Sequence, residues 1–519
     1  MINKKLILSL LPILAIGALA SCAGKPGPES DVDSVPESQP DSESGETQKT
    51  NISIWTTLSY QTQLENMIAS FEEANPNIHV ENVKVSGSYD DLKSQTIQGF
   101  PTDNYPDIVL AYPDHVADYL DYNKAANMES YMNNETYGWT EDEIDDIVPS
   151  FLSEGSDYSV PGVYSLPFCK STEAMFYNAS VLVGLNLSTV DPTINNGNAL
   201  TEDYLNNLTW DELFDKLCPA ILEYNEGLDE KSKILNQTED GNWAVIGYDS
   251  DDNLFITLAE QYGFAYTEID ETTGKGKALW NTPEMKALLK KFNDAKAKHY
   301  FMTKGTLGGY VNYEFVEGSC LFSVGSTGGV KYQNPESNPF NVNVARIPQA
   351  NHNNIKLINQ GPSLAFLKHP GSDGKTDKAR LEAAWKFYKH TAETANVTAW
   401  ATATGYMPTR YSSYESEAYL EYSNTEDKDM YSLELLTAKN ATYCSTVLNN
   451  LFASPVFKGS SECRSQVGGL LTALLLLDPA QYDAQVDGLF ETSVNQATLK
   501  VFYIKWFKSS NIHKRDNNL

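Results

Sequence analysis

Leu64, Met67, Ile68 and Phe71 recur at i, i+3, i+4 and i+7, the apolar stripe of an amphipathic helix. Ile52, Ile54 and Trp55 open a strand before it, and Asn75-Pro76-Asn77 stops it. Ile78, Val80, Val83 and Val85 read as a second strand, 89–100 as another helix, and Asp107 to Ala111 as a strand buried on both faces. Strand–helix–strand–helix–strand predicts an α/β chain with a parallel sheet and right-handed crossovers. Ligands of such sheets lie beyond the carboxyl ends of the strands. Those ends fall at Thr56 to Tyr60, Val85 to Tyr89 and Tyr112 to His115.

The chain start has a different pattern. Lys4 and Lys5 precede an apolar run from Leu6 to Ala20, followed by Leu19-Ala20-Ser21-Cys22. A basic start, an apolar stretch and small residues before a cut site describe an export signal over 1–21. The run is about 15 residues, short of the roughly 20 that a spanning helix needs. Leu-Ala-Ser-Cys resembles the bacterial lipobox, which implies lipid on Cys22 as the mature N-terminus and anchorage to the outer face of the cell membrane. Residues 22–50 are rich in Ser, Pro, Gly and acids and poor in large aliphatic side chains, the composition of a disordered tether.

Charge and cysteine usage narrow the classes. With 38 Lys plus Arg against 69 Asp plus Glu in 519 residues, the formal net charge is −31, which argues against a nucleic-acid partner. Hydrophobic residues make up 41%, enough for packed cores, and the length suits more than one domain. Cys169, Cys218, Cys320, Cys444 and Cys463 show no CxxC or zinc spacing. Free thiols are expected, with a Cys444–Cys463 bridge as the alternative. Asp249 to Glu260 has an EF-hand flavour, but Leu254 stands where the turn needs Gly. A helix start capped by Ser250 or Asp251 is the expected structure there. GSTGG at 325–329 lacks the Walker ending, and no HExxH or GxSxG occurs. No metal or cofactor is expected.

Several segments together resemble the family 1 extracellular solute-binding proteins of bacterial ABC importers. They are IWTTLSYQTQLENMIASFEEANPNIHVENVKV, SYDDLKSQTIQGF, YPDIVLAYPDHV, YSLPFCKSTEAMFYNASVLVGLN, LTWDELFDKL, FVEGSCLFSVGSTGG, QGPSLAFLKHPG and AAWKFYKHTAETANVTAWATATGYMPTR, in that order. The likeness covers roughly 51–498. It implies a two-lobed periplasmic-binding-protein-like fold, each lobe a mostly parallel sheet flanked by helices, with three hinge crossings near 168–178, 318–326 and 364–376. The lobes would be 51–167 plus 322–370 and 171–318 plus 375–498, leaving 499–519 as a tail of unassigned role. The resemblance further implies a monomeric, non-enzymatic binder that passes its ligand to ABC permease subunits.

The same resemblance nominates cleft residues. Tyr89 falls where sugar- and glycerol-phosphate-binding relatives place an aromatic, and Asp114 where they place an acid that accepts from hydroxyls. Ser171 and Thr172 lie in PFCKST, and Ser326 and Thr327 on the Gly-rich turn. Gly361 lies where backbone approaches the ligand, Tyr406 in TGYMP, and Arg410 four residues on. Trp243, after a polar loop, is a candidate stacking platform. A sugar or oligosaccharide is the expected ligand. Glycerol-3-phosphate or a glycerophosphodiester is the alternative, for which Arg410, Lys458 or Arg464 would supply the cation. A secreted glycoside hydrolase is the alternative of another class, requiring two carboxylates about 5–10 Å apart.

Overall fold

The computed structural model describes residues 49–515 except 159, 240, 271–274, 372–373 and 428, with side chains described through 498. The expected export signal, Cys22, nearly all of the tether and the side chains of the tail lie outside the described residues.

Two five-stranded sheets organise the chain. In the first, the strands order as Ile78–Lys84, Thr50–Thr56, Ile108–Ala111, Ser363–Phe366 and Ser165–Pro167. In the second, they order as Val342–Ala345, Glu173–Asn178, Cys320–Ser326, Ala244–Tyr248 and Phe301–Thr303. Four of the five strands in each sheet run one way. Ser363–Phe366 is antiparallel to both neighbours in the first, and Glu173–Asn178 to both in the second. Each reversed strand adjoins a segment that enters from the other lobe.

The predicted helix stripe is real. Leu64, Met67, Ile68 and Phe71 of helix Gln61–Ala74 are buried on the first sheet, and Ile108 to Ala111 form a strand buried throughout. Two separate apolar cores follow, one per sheet. Trp385 is fully buried in the first, while Trp243 stacks on His299 with centroids 4.0 Å apart at the edge of the second. The five cysteines from Cys169 to Cys463 are free and buried, so no Cys444–Cys463 bridge forms.

The division of the chain between lobes differs from the expected one. Strands 320–326 and 342–345 pair in the second sheet, not the first. Helices Lys378–Thr391 and Thr394–Thr404 pack Leu381, Trp385, Tyr388 and Trp400 into the first core, not the second. Accordingly 318–326 and 364–376 do not cross between lobes. The chain passes across at 168–172, again between Ala345 and Ser363, and again after Thr404. These passages lie side by side. The Ser171 and Gln360 amides each donate to the other's carbonyl, at 3.0 and 2.9 Å, and the Met407 amide donates to the Lys170 carbonyl at 2.7 Å. Apolar alternation identifies a strand, but strand pairing decides its sheet, and both sheets offer the same apolar face.

Candidate binding cleft

A cavity of about 530 Å³ lies between the lobes. Several of its walls are helix starts that follow strands, where unpaired amides and polar caps gather. From the first lobe come Ser88 to Asp90 and Tyr112 to His115. Ser88 caps helix Tyr89–Gly99: its hydroxyl accepts from the Asp91 amide at 3.2 Å while Asp91 accepts from the Ser88 amide. From the second lobe come Ser250, Asp252 and Asn253, Tyr266, Lys304 and the first turns of helix Ser460–Leu475 with Arg464. Ser250 is the N-cap of helix Asp251–Tyr262, so the acid-rich 249–260 segment is a capped helix start. Gln360, Gly361 and Glu154 close the base.

Arg464 is, with Lys304, one of two cations that the second lobe places in this cavity. Its Nε lies 2.8 Å from Asp252 Oδ2, and Nη2 donates to Asn253 Oδ1. The two helices approach closely because Gly468 faces Asp252; a β-carbon there would lie 3.2 Å from Asp252 Cβ. Burial opposes the Arg464 charge, but the carboxylates of Asp252 and Asp114 and the neighbouring Tyr266 and Tyr112 more than offset it, and its pKa stands above the ordinary arginine value. The Asp114 carboxylate meanwhile accepts from the His115 amide at 3.1 Å.

The lining is acidic on balance: Asp90, Asp114, Glu154 and Asp252 against Lys304 and Arg464. The His115 ring holds the Asp90 carboxyl well below the usual range against the opposing effect of burial, with Lys93 assisting. Glu154 moves the other way, because burial outweighs the Lys170 ammonium beside it. Tyr89 and Tyr112 meet edge to face at 5.1 Å, and burial pushes the Tyr89 hydroxyl up to about 12.

Tyr89, Asp114 and Gly361 line the cavity together. Gly361 has φ 86°, and a β-carbon there would sit 1.9 Å from the Cys169 carbonyl oxygen, so the crossing requires glycine. The other nominated residues lie elsewhere. Tyr406 neighbours Tyr89 without lining the cavity, and packs against Tyr60 at 6.5 Å. Ser171 and Thr172 are buried in the crossing, where Thr172 Oγ1 donates to the Ile358 carbonyl at 2.8 Å. Thr327 Oγ1 accepts from the Thr172 amide at 3.2 Å, and Ser326 caps the turn after it. Arg410 is buried, 3.2 Å from Asp146, donating to the Glu143 carbonyl at 2.8 Å and lying over the Trp139 ring. It ties the segment after Thr404 to the first lobe.

Sequence reading did not nominate Tyr112, His115, Asp252, Asn253 or Tyr266. His115 ends a segment already marked as a strand's carboxyl end, and Asp252 and Asn253 follow strand 244–248 in the same way, so that rule alone points to them. Arg464 was weighed only as one of three cations for a phosphate.

A family profile described as "Bacterial extracellular solute-binding protein" matches residues 66–426, more than half of the chain. The chain belongs to this family. Its members bind solutes outside the cell and do not transform them, which removes the hydrolase alternative. Among solved structures, the sugar-binding protein MalE from Xanthomonas citri superposes with a TM-score of 0.62 at 14% identity, over 88% of this chain and 99% of that one. UgpB from Mycobacterium tuberculosis, in complex with glycerophosphocholine, gives 0.60 at 16% identity over 86% and 99%. An ABC substrate-binding protein from Listeria monocytogenes, in complex with cycloalternan, gives 0.59 at 15% identity over 87% and 99%. At these identities the likeness establishes the two-lobed fold. No curated protein sequence matches significantly. Among the described residues no cluster of His, Cys, Asp and Glu is arranged to hold a metal ion, and no described helix is long and apolar enough to cross a membrane.

Proposed function

We propose that this solute-binding protein captures a neutral carbohydrate between its lobes and delivers it to the membrane subunits of an ABC importer. The observation that carries the reading is the charge of the cavity: four carboxylates against two cations, with Arg464 already paired to Asp252. Carboxylates accept hydrogen bonds from sugar hydroxyls, whereas a phosphate needs unopposed donors or cations. The tyrosines of the lining offer apolar faces with polar tips, suited to sugar rings. MalE and the cycloalternan complex share the fold, and their ligands are of this class. UgpB keeps a glycerophosphodiester as the competing reading. In the same proposal the protein is exported, held to the membrane by lipid on Cys22, and acts as a monomer.

A thermal-unfolding panel tests it. Mono-, di- and oligosaccharides are screened beside glycerol-3-phosphate and glycerophosphocholine. A ligand at 100 times its Kd adds about 2.7 kcal/mol of apparent stability, a shift of a few degrees or less in a chain of this length. The expected result is a shift with a neutral sugar and none with glycerol-3-phosphate.

A further inference from the structure

Glu173 is a carboxyl with no place in the binding chemistry described above. It is the first residue of strand Glu173–Asn178, directly after the 168–172 passage, and it is 2% exposed. A buried carboxyl costs stability unless its lone pairs are used. Here both oxygens accept. Tyr248 donates its hydroxyl to Oε2, and Asn253 Nδ2 donates to Oε1 at 3.0 Å. The Tyr443 hydroxyl holds the Glu173 carbonyl at 2.8 Å. Asn253 then has one face left: with its NH₂ committed to Glu173, its Oδ1 points at the Arg464 guanidinium and accepts from Nη2.

From this chain of contacts we infer that Glu173 is a positioning residue for the binding cleft, fixing the Asn253 amide in the one orientation that holds Arg464 in the cavity. An asparagine amide can present either end to a neighbour. Were it reversed, NH₂ would face the guanidinium, donor against donor, and Arg464 would keep only Asp252. A carboxyl oxygen that accepts removes that choice. The groups facing Glu173 come from four elements: Tyr248 on strand 244–248, Tyr443 on helix Leu433–Thr446, Asp252 beside Asn253, and Arg464 on helix Ser460–Leu475. Burial, only partly offset by the bonds from Tyr248 and Asn253, pushes the Glu173 carboxyl up to about 7. Its acceptor at Oε1 survives protonation at Oε2. All members of the relay sit in the second lobe, so Arg464 is set before the first lobe brings Asp114 to it.

The test follows the Arg464 Nη2–H group, the donor to Asn253, by NMR in protein labelled with nitrogen-15 at arginine, the resonance assigned by its loss in Arg464→Lys. It needs no bound sugar, so its outcome is independent of the proposed ligand. Glu173→Gln still presents an acceptor to Asn253 and should leave the Nη2–H as slow to exchange as in the wild type. Glu173→Met and Asn253→Ala should each speed that exchange about tenfold or more. The double variant Glu173→Met/Asn253→Ala should be no faster than either alone, since both break one relay. If Glu173→Met does not fold, Tyr248→Phe should give a smaller acceleration in the same direction. Unchanged exchange in Glu173→Met and Asn253→Ala, additive effects in the double variant, or no change in Tyr248→Phe would each overturn the inference.

Discussion

The Lys170 ammonium lies 2.6 Å from the Glu154 carboxylate, and both side chains are buried where the chain passes between lobes. Lys170 also donates to the Gly361 carbonyl at 2.9 Å, and Asn359 donates to the other Glu154 oxygen at 3.2 Å. One ion pair therefore fastens two crossing segments to the helix Pro149–Glu154 beneath the cavity.

Breaking that pair should be costly. Lys170→Met leaves a buried carboxylate without its cation, and such losses run to about 3–5 kcal/mol. Urea unfolding should show that loss, and Glu154→Gln added to it should recover part. A single variant as stable as wild type would mean that water reaches the pair.

Glu173→Gln should change stability in a pH-dependent way. The folded carboxyl is raised to about 7 from an ordinary value of 4.5. A raised acid binds more protons folded than unfolded, so its contribution is full below about pH 4 and is lost as pH rises through 7. The neutral variant should therefore gain on wild type by on the order of 2–3 kcal/mol at pH 8. At pH 4 the two should be nearly equal. A gain of the same size at both values would contradict the assignment.

How much of this was legible beforehand depends on the range of the interaction. The Leu64–Phe71 stripe, the 107–111 strand and the Ser250 cap are local patterns, and the ordered family segments carried the two-lobed fold. Tyr89, Asp114 and Gly361, nominated by the family resemblance, do line the cavity. Arg410 could not be placed: its polar, charged side chain reads as a cleft donor, and only the fold shows Asp146, the Glu143 carbonyl and Trp139 closing around it. The Arg464 pairing bridges residues 211 positions apart, and the sheet of strand 320–326 is set by partners that no local period reveals.

Tyr406 should act on binding through Tyr89. Tyr406→Phe removes the hydroxyl that neighbours Tyr89 but keeps the ring against Tyr60 and Gly328. It should weaken sugar affinity by about 1 kcal/mol with little loss of stability. Tyr406→Ala, which empties a half-buried packing site, should also lower the unfolding midpoint. Equal affinity in wild type and Tyr406→Phe would remove the Tyr89 link.

Two contacts join the lobes at the cavity edge: Lys458 pairs with Asp121, and Lys93 Nζ donates to Ser461 Oγ at 3.3 Å. Both are partly exposed, so each is worth no more than about 1 kcal/mol and less in high salt. Lys458→Ala should shift the unliganded protein toward an open form, seen as a larger radius of gyration in X-ray scattering at low salt. The difference from wild type should shrink at high salt, and a difference independent of salt would argue against the pair.

In the proposed function a neutral sugar binds in the cavity that Asp114 lines from one lobe and Arg464 from the other. Isothermal titration of the sugar that shifts unfolding, into wild type and into Asp114→Ala and Arg464→Gln, tests it most directly. Each variant should lose about 1.5–3 kcal/mol of binding free energy, the worth of a hydrogen bond to a charged group, while unfolding as a cooperative, folded protein. Undiminished binding in both variants, or binding heat from a glycerophosphodiester with none from any sugar, would contradict the account.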